Sequence, residues 1–238
     1  MNHYKAERSL SEKTLTAHQS TGNLIQQIDV DTLIAGTKPP AKAHIHTVRR
    51  YLLLSQVTLF GCMLICSLIV PGVVRKEGGA SDFGNHASTI VPYILGFLLN
   101  VVFMYLAVES MLRLSQKLSY LARCLMFLNF LTLGLLFSTF PRNLSVVYSD
   151  IHDWFSIVLF SYEFLLSAWL VIQQRTSQAV SYLTLQTVGS AIGMFSALKV
   201  INLLYVGQFL GSLGFALILL FVLPDVIAQK IAAKPGQT

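Results

Sequence analysis

The sequence predicts an all-α, polytopic membrane bundle of six transmembrane helices with both termini in the cytoplasm. Three observations carry that expectation. Charged residues make up 12% of the chain against 54% hydrophobic residues, and the mean hydropathy is +0.62. Soluble domains carry about 25% charged residues, so a soluble fold of 238 residues with this composition would lack the polar surface to cover itself. The apolar residues also fall in blocks of about 20, the length a helix needs to cross about 30 Å of hydrocarbon. Lysine and arginine, finally, are unevenly shared between the segments that join those blocks.

The elements follow in order. Residues 1–50 are polar and basic, with Lys5, Arg8, Lys13, Lys38, Lys42, Arg49 and Arg50. No early apolar core leads to a small-residue cleavage site, so an ordinary signal peptide is not expected. A short helix is predicted over residues 23–36, capped by Thr21 or Asn23 and stopped by Gly36, before "TKPPAK" breaks any helix. The rest of this tail is expected to be largely disordered. Six spans are predicted over residues 51–226: Tyr51–Val74, Ile90–Leu112, Leu121–Phe140, Trp154–Ile172, Val180–Ile201 and Val206–Val226. Only "NLLY" (202–205) divides the last two, but Val180 to Val226 is far too long for one crossing. Pro224 is expected to mark the exit of the last span, leaving 227–238 as a short cytoplasmic tail.

Orientation follows from the basic residues. The N-terminal seven share a side with Arg113, Lys117, Arg123, Arg175, Lys230 and Lys234, whereas Arg75, Lys76, Arg142 and Lys199 lie opposite. The richer side is expected to be cytoplasmic, and the plasma membrane is the expected location. Glu109 precedes Arg113 by four residues, a favourable helical ion-pair spacing at that interface.

Three polar residues fall near the midplane: Asn100 in the second span, Asn129 in the third and Glu163 in the fourth. A carboxylate at that depth costs on the order of 2.5–3.5 kcal/mol, so Glu163 should face the bundle. Helical spacing agrees. Ser156, Phe160, Glu163 and Ser167 form one stripe, Tyr93, Gly96, Asn100 and Ala107 a second, and Ala122, Asn129 and Thr132 a third. The main expectation is an interhelical hydrogen-bond cluster; a proton or substrate pathway centred on Glu163 is the functional alternative. In the last two spans Gly189, Gly193, Gly207, Gly211 and Gly214 give GxxxG spacings, which predict a tight hairpin within the monomer in preference to a homodimer.

The two outer segments supply Asp82, His86, Asp150, His152 and Asp153, residue types that suit a metal ion or an acid–base pair. No HExxH, HxxxH, paired-Cys or GxSxG pattern supports this, and no histidine is predicted within a span. "SDIHDWF" (149–155) is therefore expected to be a helix entrance, with Asp150 or Asp153 capping the fourth span. Cys62, Cys66 and Cys124 all fall in spans, and no disulfide is expected.

"SDFGN" after the first span, "FSTFP" (137–141) closing the third and "IHDWFSIVLF" (151–160) opening the fourth resemble the six-span DRAM-like and Frag/Sfk-like membrane proteins and their prokaryotic relatives. The resemblance covers about residues 51–226. It implies six helices, a cytoplasmic N-terminus and a role in lipid organisation, lipid remodelling or scaffolding. Only His152, Asp82 and Gly84 occupy matching positions, and the outer-loop cysteines of many eukaryotic members are missing here.

Residues and resemblance together predict a non-enzymatic protein that acts through membrane lipids and other membrane proteins. No cofactor and no nucleic acid are expected. The alternatives are a small proton-coupled carrier using Glu163 with Asn100 and Asn129, and an outer-face metal-dependent lipid enzyme.

Overall fold

The computed structural model describes residues 41–75, 79–141 and 144–232. The helix expected over 23–36, most of the tail, and residues 233–238 lie outside them. Among the described residues there is no strand. The long elements are α1 (Ala41–Ile69), α2 (Ile90–Leu114), α3 (Ser119–Thr139), α4 (Val146–Gln174), α5 (Ser177–Ala197) and α6 (Leu204–Ala232).

Five of these helices are long and apolar enough to cross a membrane: α1 from His44, α2, α3 together with the short turn before it, α4 and α6. The chain has the build of a multi-pass integral membrane protein. The expected fifth span differs. α5 has 21 residues, enough for a crossing, but its serines, threonines and glutamines hold its hydropathy below that of the other five.

Three boundaries move outward from their predicted places, for one physical reason: hydropathy marks the hydrocarbon-facing stretch, while the backbone ladder runs on past it. α1 starts ten residues before Tyr51, directly after Pro39-Pro40, and already buries Val48. α4 begins at Val146 and not at Trp154. Its cap is Ser145, whose Oγ accepts from the Tyr148 N–H at 3.4 Å, so neither Asp150 nor Asp153 is the cap. α6 runs through Pro224 to Ala232 instead of ending there. A π turn at Ile218–Val222, in which the Leu223 N–H reaches the Ile218 carbonyl, widens the helix just ahead of the proline. That widening accommodates a ring that would collide with the preceding turn of a regular helix.

The connections on either side of α5 are short. Arg175 adopts a left-handed conformation (φ 50°), and Thr176 caps α5 by accepting from Ala179 N–H at 3.2 Å, so α4 turns into α5 across two residues. The Leu203 N–H closes the α5–α6 turn on Ser196 Oγ at 3.1 Å. From there the helices run antiparallel in continuous register: Gly193 lies beside Gly207, Gly189 beside Gly211, Gln186 beside Gly214 and Tyr182 beside Phe221.

The other helices close a ring. α1 meets α2 where Cys62 sits over Gly96, α2 packs on α3, and α3 on α4. α4 contacts α6, and α6 returns to α1 through the edge-on rings of Phe60 and Phe209 and the Ser67–Tyr205 hydroxyl pair at 2.7 Å. α5 stands outside this ring, against α4 and α6. The helical turn Ala80–Asn85 sits at one end of the ring and is held by Ala80 N–H donating to Gln208 Oε1 at 2.8 Å.

Candidate functional site

The five ring helices line a partly open cavity of about 100 Å³. Each contributes to it in helical register. α1 supplies Leu59, Phe60 and Met63; α2 supplies Tyr93, Phe97 and Asn100; α3 supplies Thr132 and Leu135. α4 brings Ser156, Phe160 and Glu163, which stand one helical turn apart, and α6 brings Tyr205, Gln208, Phe209 and Ser212. Ala80 and Ser81 of the end turn reach one end of the space. A second pocket of about 30 Å³ shares Leu59, Asn100, Thr132, Glu163 and Ser212 with the first and adds Gln56 and Asn129.

The three midplane polar residues therefore converge on a common space, but they do not bond to one another as a cluster. Asn100 is buried and its Oδ1 accepts from Ser55 Oγ on α1, with Gln56 Nε2 donating to the same hydroxyl at 3.3 Å. Asn129 is buried and its Nδ2 donates to the Val101 carbonyl at 2.9 Å. These two amides join helices, as interhelical polar groups do. Glu163 departs from the expectation. It lines both pockets, and among the described residues no protein group hydrogen-bonds or ion-pairs with its carboxyl. Ser167, one turn further along the predicted stripe, is fully buried with an unpartnered hydroxyl.

The cavity has a simple electrostatic character. Its lining contains one carboxyl group and no lysine, arginine or histidine. Amide and hydroxyl dipoles surround that group, and six aromatic side chains form much of the remaining wall. Of the aromatic residues, Phe160 and Tyr93 lie on the stripes read from the sequence, whereas Gln56, Gln208, Ser212, Phe60, Phe97, Tyr205 and Phe209 do not. Gln208 and Ser212, one turn apart within an apolar span, were the available signal.

The outer candidates are dispersed. Asp82 accepts from the Gly79 N–H at 2.7 Å, bracing the end turn, and His86 is exposed. Asp150 and Asp153 are exposed on the first turns of α4. His152 is the correction of most consequence. It lies inside a helix long enough to span, is 3% exposed, and its Nδ1 sits 3.1 Å from Ser138 Oγ of α3. It fastens α4 to α3 and is not a wet loop residue. Among the described residues no three His, Cys, Asp or Glu side chains gather where they could hold a metal ion. All three cysteines carry free thiols, and the Glu109–Arg113 pair forms on the surface of α2.

The glycines on α5 and α6 are not equivalent. A Cβ on Gly207 would overlap the Gly193 backbone, one on Gly189 the Gly211 amide, and one on Gly214 the Gln186 backbone at 2.5 Å. A Cβ on Gly193 or Gly211 would meet nothing closer than 3.5 Å.

No family model, characterised protein or solved structure matches the chain.

Proposed function

We propose that this is a six-span protein of the plasma membrane, with both termini cytoplasmic, that holds part of a lipid or of another membrane component in its inter-helix cavity and makes and breaks no bonds. The observation that carries the reading is the cavity itself, a polar floor within a ring of apolar helices. Its lining offers one acid, amides, hydroxyls and ring faces, which is the chemistry of recognition. The sixth crossing is supported by the register of α5 along α6. A helix that lies beside a spanning helix over its whole length, and is joined to α4 by two residues, traverses the same thickness. The bias of basic residues favours cytoplasmic termini, and the resemblance to DRAM-like and Frag/Sfk-like proteins points to lipid contacts.

Two measurements test this. On a background without native cysteines, Asn85→Cys and Val200→Cys should react with an impermeant maleimide from outside, and Gln116→Cys and Thr176→Cys only after permeabilisation. Protection of Val200→Cys from outside would remove the sixth crossing. Native mass spectrometry of the protein extracted with its lipids should show one retained component, displaced in a variant whose cavity is filled. A second reading, a small carrier, is favoured by the unpartnered Glu163 carboxyl. It requires flux in proteoliposomes that Glu163→Gln abolishes while the fold survives.

A further inference from the structure

From the cavity's walls and floor we infer that its ligand is an organic ammonium group, primary or quaternary, supplied by a phospholipid headgroup or by a free amine. This rests on the reading of the cavity as a binding site and names what binds there.

The floor carries the only carboxyl group in the lining, that of Glu163, and the lining holds no lysine, arginine or histidine to pair with it. An unpaired carboxyl within a membrane is costly to ionise, and a cation bound beside it offsets that cost by pairing with the ionised form. The walls select among cations. Phe60, Tyr93, Phe97, Phe160, Tyr205 and Phe209 surround the same space. Aromatic faces attract ammonium groups through the ring quadrupole, and quaternary ammonium ligands are recognised by enclosure in such rings. Asn100, Thr132 and Ser212 add oxygens that can accept the N–H bonds of a primary ammonium.

Other ligand classes fit less well. A phosphate or carboxylate would face Glu163 with no guanidinium, ammonium or imidazolium to bind it. A purely apolar group would leave the carboxyl and the amides unpaired. A hard divalent ion draws on several carboxylate and carbonyl ligands, and this lining has one carboxylate. Size restricts the choice further. At about 100 Å³ the cavity is smaller than the ~150 Å³ engineered cavity that admits benzene. The space suits the ammonium end of a headgroup and not the phosphate or chains behind it.

The test uses the full chain in nanodiscs of phosphatidylglycerol, phosphatidylcholine or phosphatidylethanolamine, with retained lipid read by native mass spectrometry. Free choline and ethanolamine are titrated into the phosphatidylglycerol discs, beside 3,3-dimethylbutan-1-ol, the uncharged shape analogue of choline. Retention of a choline or ethanolamine lipid assigns the headgroup as the source; binding of the free amine in phosphatidylglycerol discs assigns the aqueous one. In either case the neutral analogue should not compete. Glu163→Gln should weaken binding by about tenfold or more, and Phe160→Leu by about threefold, with unchanged gel-filtration profiles. Retention of an anionic or uncharged molecule that Glu163→Gln leaves in place would overturn the ammonium assignment and keep the binding cavity. No retained or added ligand in any disc would overturn both.

Discussion

Helix α6 packs in two different ways on two of its faces. One face presents Gly207, Gly211 and Gly214 to α5, where backbone meets backbone. Another presents Tyr205, Gln208, Phe209 and Ser212 to the ring interior, where large side chains from five helices meet around a void. In lipid there is no hydrophobic gain in joining helices, so association rests on close contact and on polar bonds. The glycine face takes the first route, with no room for a side chain at Gly207 or Gly214 though a Cβ at Gly211 would make only ordinary contact. The ring face leaves space, because side chains of unequal size and direction cannot fill the centre of five helices. The dry seam positions α6; the irregular side gives the molecule its chemistry.

Substitution can break that contrast. The largest expected effect is Gly207→Val, which drives side-chain carbon into the Gly193 backbone. Backbone cannot step aside, so the loss should reach about 3 kcal/mol, the upper end of overpacking costs, seen as a lowered thermal midpoint in micelles. Next is His152→Ala, which removes the bond to Ser138, whose hydroxyl keeps the Leu135 carbonyl, and empties a buried site between α3 and α4; it should cost about 1–3 kcal/mol. Because His152 is not in the cavity lining, the remaining folded protein should bind ligand as before. Reduced affinity at equal folded fraction would count against its structural role. Ser212→Val repeats the bulk of the first variant on the other face of the same helix. It should change stability by less than about 1.5 kcal/mol while abolishing cavity binding. Smallest is Gly193→Ala, within the GxxxG pattern but with no neighbour nearer than 3.8 Å. Removing a helical glycine there should gain about 0.5–1 kcal/mol. A loss as large as that of Gly207→Val would show that the two glycines are equivalent after all.

The sequence revealed some features because they are local. Spans two and three were placed to within two residues at each end, since apolar blocks bounded by Thr89 and Ser115, or by Leu118 and Pro141, coincide with the helices. The stripe from Ser156 to Glu163 was legible because helical spacing alone fixes a shared face. The start of α4 was not, because Val146 to Asp153 mixes polar and apolar residues and the Ser145 cap gives a weak signal. His152 was missed for the same reason: outside a hydropathy block, a buried histidine looks like a wet one. The cavity was only half legible. That Asn100, Asn129 and Glu163 face inward follows from cost, but that Glu163 remains unbonded depends on distances between three helices. The aromatic walls come from residues distributed between Phe60 and Phe209, and only the ring topology brings them together.

The π turn in α6 has a further consequence, for the length of the chain. In a regular helix, deleting one residue turns everything downstream by about 100°, which would carry Val226 and Ile227 off their buried side. At Ile218–Val222 the helix already holds one residue more than regular winding uses. A deletion there takes up the slack and keeps the downstream face in phase, exchanging the wide turn for a kink at Pro224. Of the 29 positions in this helix, those five are where a shorter homologue could arise without re-registering the remainder.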